Sequence, residues 1–366
     1  MPSKRKKRIG VLTGGGDCPG LNAVIRGVVK ASISNYGTEV IGIEDGYEGL
    51  IQKRVSPINW LQVSGILTQG GTILGTSNIA NPFKWPVKDK NGKMTFADIS
   101  DNVAEFVEEL KLDNIVCIGG DGTMAIAQQM SQKGIRIVGV PKTIDNDIWG
   151  TDITFGFDTA VGTATEAIDK IHTTAMSHHR VMVVEVMGRY AGWLALHSGI
   201  AGGGDVILIP EIPFKMDKVC DVVSKRSKKG RRFSIVVVAE GAKPEGGELV
   251  VQRVVKKATD PIRLGGIGMK IGNEIEDKTG LETRVTVLGH LQRGGTPTAY
   301  DRILATRFGV KAAKLCDDGV GGVMVAVRGQ DIIAVPLSDI GGKTRTVDQH
   351  NPLVNVAQKV GTCMGI

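Results

Sequence analysis

The chain has 366 residues, enough for two or three domains with substantial cores. Hydrophobic residues make up 42%, charged residues 23% and aromatics only 4%, beside 50 glycines; this is the balance of a globular chain with many tight turns, and it argues against an aromatic-rich binding surface. The net charge is +7, of which the mild excess outside the opening basic run fits an enzyme with polyanionic ligands, and no stretch approaches the ~20 apolar residues that would span a membrane.

Much of the positive charge lies in the opening run Lys4-Arg5-Lys6-Lys7-Arg8, which reads as a solvated terminal arm in preference to a nucleic-acid or membrane contact. Residues 8–13 are the first expected strand, followed by the turn Thr13-Gly14-Gly15-Gly16-Asp17 and a helix over 19–33. That turn has neither the Gly-Lys-Ser/Thr ending of a Walker A loop nor GxGxxG spacing, so a phosphate cradle and a structural turn are both open. Residues 39–43 form the next strand, and 81–95, with two prolines and several lysines, reads as a surface loop. A helix over 101–112 leads into the apolar strand 114–118. Gly119-Gly120-Asp121-Gly122-Thr123 then joins that strand to a helix; Asp121 suits either a Mg²⁺ ion among phosphate oxygens or a helix N-cap. The strand 135–140 ends at Pro141-Lys142-Thr143-Ile144-Asp145-Asn146-Asp147. Two carboxylates two residues apart, beside a hydroxyl and a lysine, suit phosphoryl transfer, with a solvated loop as the alternative.

The alternation continues with a helix over 159–174, a strand over 181–186, a helix over 190–201 and strands over 205–210 and 233–240, with a loop at 245–247. Near-continuous apolar strands such as Ile235-Val236-Val237-Val238 predict an α/β chain of doubly wound parallel sheets, whose ligands bind at the carboxyl ends of the strands. Three further clusters fall at strand ends: Ser177-His178-His179-Arg180, Met187-Gly188-Arg189-Tyr190, and Leu288-Gly289-His290-Leu291-Gln292-Arg293-Gly294-Gly295 with Arg284 upstream. A lone arginine usually lies at the surface and a lone histidine is usually structural, but several at successive strand ends favour a phosphate pocket. Gly265-Gly266-Ile267-Gly268 has no expected strand before it and reads as a turn opening a helix, not a dinucleotide site. The five cysteines are scattered and read as free thiols; with no apolar leader, the expected location is the cytoplasm.

On these motifs the sequence resembles the 6-phosphofructokinase family from about residue 8 to 307. GGDG alone also occurs in NAD kinases and lipid kinases, but those lack PKTIDND, MGRYAGW and LGHLQRGG. The resemblance implies two similar Rossmann-like lobes with the active site in the cleft: a donor lobe of 1–156 with about 292–340, and a sugar-phosphate lobe of 157–291 with about 341–366. It implies ATP-dependent, Mg²⁺-assisted phosphorylation of the 1-hydroxyl of fructose 6-phosphate in glycolysis, with no nucleic-acid or membrane partner. Asp145 would be the general base, with Lys142, Thr143, Asp147 and Arg189 around it, and Asp121 would serve the metal. Gly15, Gly16, Asn78, Gly120, Gly122 and Thr123 would line the donor site. Arg180, Arg284, His290 and Arg293 would hold the acceptor's phosphate, and Met187, Gly188, Arg189 and Glu240 its sugar. Arg180 and Arg284 come from a neighbouring subunit in the family, which implies a homo-oligomer, commonly a tetramer.

Departures from the family pattern bear on the donor. Gly122 matches the ATP enzymes, where pyrophosphate enzymes commonly carry an aspartate that would block the α-phosphate; Lys142 matches the pyrophosphate enzymes. The steric and like-charge block is the stronger signal, so ATP is the expected donor. Asn78 replaces an arginine that bridges the substrates in many bacterial enzymes, a charge Lys142 is placed to supply. The bacterial effector site has basic counterparts at Arg26, Lys30 and Arg231 and an acidic one at Asp205, but Trp60 and His172 stand where arginines are expected. A catalytically silent regulatory or nucleic-acid-binding protein is the third reading, and the intact Asp121, Asp145, Asp147 and Arg189 argue against it.

Overall fold

The computed structural model describes residues 5–90, 92–254 and 262–366. The elements run β1 (Arg8–Thr13), α1 (Leu21–Tyr36), β2 (Glu39–Ile43), α2 (Tyr47–Ile51), β3 (Val55–Ile58), β4 (Trp85–Lys88), β5 (Met94–Ala97), α3 (Ser100–Glu109), β6 (Asn114–Gly119), α4 (Asp121–Gln132) and β7 (Ile137–Pro141). After them come α5 (Phe157–His178), β8 (Val181–Val186), α6 (Trp193–Ala201), β9 (Val206–Leu208), α7 (Met216–Lys228), β10 (Ser234–Ala239), β11 (Val251–Val254), β12 (Ile262–Leu264), α8 (Ile267–Thr279) and β13 (Thr283–Val287). The chain closes with α9 (Ala299–Asp317), β14 (Val323–Arg328), β15 (Asp331–Pro336) and α10 (Pro352–Lys359).

Two sheets organise the molecule. The first has the order β15-β14-β7-β6-β1-β2-β3, parallel except for the edge strands β3 and β15, and the second, β13-β8-β10-β9, is wholly parallel. Their strands are apolar on both faces because each face has its own core. Ile9 and Val11 of β1, Val116 and Ile118 of β6, Val184 and Val186 of β8, and Ile235 and Val237 of β10 all feed one central cluster with helices α1, α5, α6 and α9. The alternate residues face outward, Leu12, Ile115 and Cys117 into one outer cluster and Val183, Val236 and Val238 into another. Period-two alternation thus survives inside runs that look uniformly apolar. The strands β14 and β15 return to the first sheet, while Cys363 bridges to Val206 of the second. Among the described residues no helix is long and apolar enough to cross a membrane.

Several expectations are corrected. Residues 81–95 are not an open loop: Asn81 Oδ1 accepts the Phe83 N–H to start a short turn, and β4 and β5 pair as a hairpin beyond it. The prolines serve the turn and an edge strand, and Phe83 and Trp85 pack on the core. A strand, β12, does precede Gly265, paired with β11. The turn nevertheless opens a helix as expected, because the buried Glu185 carboxylate takes the Gly266 and Gly268 N–H groups at 3.0 and 2.7 Å. Helix α1 begins two residues after Pro19 because Gly20 is left-handed at φ 106°, and α6 begins at Trp193 because Gly188 and Arg189 have φ of 136° and 49°. The basic run is tied down from Arg5 onward, Arg5 to Asp113 at 2.7 Å and Lys7 to Asp317 at 2.9 Å, while Lys4 lies outside the described residues.

Helices α1 and α9 meet through glycines. A Cβ on Gly309 would stand 2.6 Å from the Val24 carbonyl oxygen and 2.9 Å from the Val28 nitrogen, backbone atoms that cannot swing aside. Gly309→Ala should therefore destabilise by about 1–3 kcal/mol through overpacking, although alanine is the better helix former. A lower urea midpoint at unchanged m-value checks this; an unchanged or higher midpoint refutes it.

Candidate active site

The carboxyl ends of β1, β6, β7 and β8 converge on one cavity of about 370 Å³. After β1 the chain turns through Gly14-Gly15-Gly16. The Gly14 N–H reaches Ile118 O of β6 at 2.9 Å and the Gly15 N–H reaches Ser77 O at 3.1 Å, so this loop is fixed before any ligand arrives. Two cations press on Gly16: Lys142 Nζ donates to its carbonyl, and Arg293 Nη1 lies 2.7 Å from where a Cβ would be. Lys142 is only 3% exposed, and burial pushes its ammonium below the ordinary lysine range.

After β6, Gly119 is required because a Cβ there would stand 2.4 Å from Thr123. Asp121 and Gly122 form the first turn of α4, where main-chain N–H groups and the helix dipole favour an anion. Thr123 is held by its carbonyl, which accepts from the buried Tyr47 hydroxyl at 3.2 Å. After β7, Asp145 is 4% exposed, its N–H donates to Thr143 Oγ1 at 3.0 Å, and its Oδ1 is buried with no hydrogen-bond partner. Asn146 is left-handed at φ 52° and accepts the Thr154 N–H through Oδ1 at 3.1 Å. Burial pushes the Asp147 carboxyl well up, reinforced by the negative charges of Asp145 and Asp121. The charges of Asp121 and Asp145 therefore both act on Asp147. Among the described residues no group of three or more His, Cys, Asp or Glu side chains is placed to hold a metal ion.

After β8, the Met187 N–H donates to the buried Gln292 Oε1 at 2.9 Å, Gly188 is left-handed, and the Arg189 N–H donates to Glu240 Oε1 at 3.0 Å. Glu240 directly follows β10, and burial next to Asp145 raises its carboxyl to about 7. Arg189 and Arg293 line the cavity, as do Asn78, Gly15, Gly16, Gly120, Gly122 and Thr123.

The four residues expected to grip the acceptor phosphate do not come together within one chain. Arg293 reaches back to Asp17 O at 3.1 Å, beside the first glycine loop, whereas His290 in the same short helix is exposed. Arg180 and Arg284 sit at the opposite, amino end of the second sheet, both paired with Glu282 at 2.8 and 2.5 Å. A six-residue strand puts that end roughly 20 Å from the cavity. The effector candidates are similarly split: Lys30, on α1 with Arg26, stands 4.1 Å over the Trp60 ring, while Asp205 pairs with Arg226 at 2.7 Å near Arg231 in the second sheet. Residues missing from the sequence reading also line the cavity, notably Tyr47, Ser77, Arg263 from β12 and Thr344. No local motif marks them; each is delivered by a long-range contact.

Glycine turns at helix N-termini, buried carboxylates and facing cations at the ends of parallel strands define a phosphotransferase of the doubly wound class. The family described as Phosphofructokinase matches residues 8–316, and the chain belongs to it. It is 52% identical over 359 residues to ATP-dependent 6-phosphofructokinase 2 of Clostridium perfringens, covering 97% of each chain. It is also 52% identical over 341 residues to the pyrophosphate–fructose 6-phosphate 1-phosphotransferase of Amycolatopsis mediterranei, covering 93% of this chain and 96% of that one. Phosphofructokinase from Saccharomyces cerevisiae superposes with a TM-score of 0.77 at 34% identity over 91% of this chain, which spans 45% of the yeast chain.

The raised Asp147 carboxyl carries a stability cost with a definite pH window. The folded chain holds that proton more tightly than the unfolded chain, so the cost is absent below about pH 4 and grows as pH rises toward the raised value. In the absence of ligands and divalent cations, Asp147→Asn should raise Tm at pH 8 by about 2 °C or more, and the gain should vanish near pH 4. Thermal unfolding across that range measures it; a gain that does not depend on pH would contradict the assignment.

Proposed function

We propose that the protein transfers the γ-phosphoryl group of ATP to the 1-hydroxyl of fructose 6-phosphate, giving fructose 1,6-bisphosphate and ADP. The observation that carries this reading is Asp145, a buried carboxylate with an unpartnered oxygen at the floor of a cavity whose other wall holds Lys142 and Arg293. The sugar hydroxyl gives its proton to Asp145 as its oxygen bonds to the γ-phosphorus, and the bond from that phosphorus to the bridging oxygen of ADP breaks. Thr143 fixes the Asp145 backbone, Arg189 and Lys142 offset charge on the transferring group, and the first turn of α4 faces the donor phosphates. Asp121, with Asp147 next to it in the same field, would hold Mg²⁺, which when bound supplies charge neutralisation to the donor. Glu240 and the Met187–Arg189 turn would orient the sugar. The lobe division follows the same reading, with the donor on the first sheet and the sugar phosphate on the second.

Relatives of both kinds reach 52% identity, but the ATP-dependent ones align over 97% or more of this chain and the pyrophosphate-dependent one over 93%. Gly122 favours ATP, because the residue leaves the first turn of α4 clear of any side chain that would meet an α-phosphate. Pyrophosphate is the second reading, favoured by Lys142. Steady-state turnover of fructose 6-phosphate is expected to be at least tenfold faster with ATP than with pyrophosphate, and the reverse order would overturn the donor assignment. Asp145→Ala should lower kcat by roughly 10²–10⁴-fold with either donor; near-normal turnover would remove Asp145 from the base role.

Placement of Arg180 and Arg284 at the far end of the second sheet supports a shared site in which each subunit lends these arginines to its neighbour. Arg284→Ser should then raise KM for fructose 6-phosphate at least tenfold. Mixed oligomers of Arg284→Ser with Asp145→Ala subunits should contain some sites with both wild-type groups and recover tight sugar-phosphate binding. Hybrids showing only the parents' kinetics would argue for sites built within one chain.

A further inference from the structure

Residues 344–347 run between the Asp145–Asp147 loop and the start of α6, which follows the Arg189 turn, and Arg345 binds the loop and the first residue of that helix. Its main-chain N–H donates to Asp147 O at 2.7 Å, and its guanidinium Nη1 donates to Asn146 O at 3.0 Å. Next to it, Thr344 forms an antiparallel bridge to Ile148. On the other side the guanidinium stands 4.1 Å over the Trp193 ring, and Trp193 Nε1 donates to Arg345 O at 2.9 Å. Trp193 is the first residue of α6, immediately after the turn that presents Arg189. The segment is pinned to that turn a second time, because Glu211 accepts both the Val347 N–H at 2.8 Å and the Gly192 N–H at 2.9 Å.

This clamp answers a specific mechanical need. Asn146 is at φ 52°, left-handed backbone that asparagine tolerates better than other non-glycine residues but that still needs support, and it lies between Asp145 and Asp147. If Asn146 relaxed toward negative φ, the Asp145 and Asp147 carboxylates would change their orientation relative to each other. Asn146 Oδ1 restrains the loop from the Thr154 side, and Arg345 restrains its two carbonyls from the opposite side. The polar contacts of Arg345 with the loop are all to main-chain oxygens, so it acts through geometry, not by placing charge on the carboxylates. A guanidinium fits because a flat cation can stack on an indole while its edge donates hydrogen bonds.

We propose that Arg345 is a positioning residue for the phosphoryl-transfer step, locking the Asp145–Asp147 loop to the turn that carries Arg189. The inference rests on the reading of Asp145 as the base. It is tested on the full-length enzyme with fructose 6-phosphate and ATP as substrates. Arg345→Met keeps the main-chain donor but removes the guanidinium, and kcat should fall about 10- to 100-fold while KM for both substrates stays within threefold, the signature of a displaced reacting group. Arg345→Lys, which restores one donor but not the planar stack, should recover part of that loss. Trp193→Leu should show the same kcat effect, and the double variant should be no slower than Arg345→Met alone, because both changes break one clamp.

Values of kcat within twofold of wild type in Arg345→Met overturn the proposal, as does a rise in KM that accounts for the whole loss. Failure of both Arg345 variants to fold overturns it too, by making the residue structural. The two readings separate cleanly: a wild-type enzyme that does not phosphorylate fructose 6-phosphate removes the proposed function and this inference together. An active wild type with an unimpaired Arg345→Met removes this inference alone.

Discussion

The arrangement turns on a carboxylate kept from water without being given a partner. Asp145 Oδ1 is buried and makes no hydrogen bond, and Asp147 and Glu240 beside it are driven toward their protonated forms by burial and by its charge. Leaving a buried carboxylate oxygen such as Asp145 Oδ1 unsatisfied costs a few kcal/mol. A chain tolerates that only where the surrounding structure cannot rearrange to relieve it. Here the carboxylates sit at the ends of parallel strands whose other atoms are locked into two cores at once. Each strand buries alternate residues in the central helical layer and in an outer cluster, so a shift that relieved the site would disturb packing on both faces.

Charge is sorted across the cavity in the same spirit. Negative groups, Asp121, Asp145 and Asp147, follow β6 and β7, while Lys142 and Arg293 crowd the glycine loop after β1. Lys142 is the exception in chain order: it belongs to the acidic loop but reaches across to Gly16 O, so one residue ties the two halves of the site together. A ligand satisfying both walls must present a polyanion to one side and a proton donor to the other. Phosphoryl transfer to a sugar hydroxyl brings both in one encounter, and a simple anion or a simple alcohol satisfies one wall only.

The legible parts of the sequence were those where function is written in consecutive residues. GGDG and PKTIDND announce themselves because a strand, a turn and a helix N-terminus are neighbours in the chain, and the strand 181–186 is legible to the residue because its composition and flanking turns agree. The hairpin at 85–97 was hidden by its prolines, and β12 by its brevity, three residues paired to a short partner. Tyr47, Arg263 and Arg345 were invisible because their roles exist only in the folded chain: nothing near Arg345 hints that Asn146, some two hundred residues earlier, is its partner. Arg293 and His290 illustrate a finer limit. They share one turn, yet one points to the first glycine loop and the other to solvent, a difference set by helical phase and by no composition signal.

The two residues that disagree about the donor act in different places. Lys142 is buried beneath the loop after β1, with its ammonium on the Gly16 carbonyl, so its charge acts where the loops of β1 and β7 meet. Gly122 lies in the first turn of α4, where an aspartate side chain would project beside donor phosphates attracted by the helix N-terminus. A lysine beneath a glycine loop adds positive charge that any phosphoryl donor can use, whether its leaving group is ADP or phosphate. An aspartate at 122 would repel one class of donor and spare the other. Only the second is a filter, so the presence of Lys142 and the absence of a side chain at Gly122 are compatible features of one site, and the donor follows from Gly122.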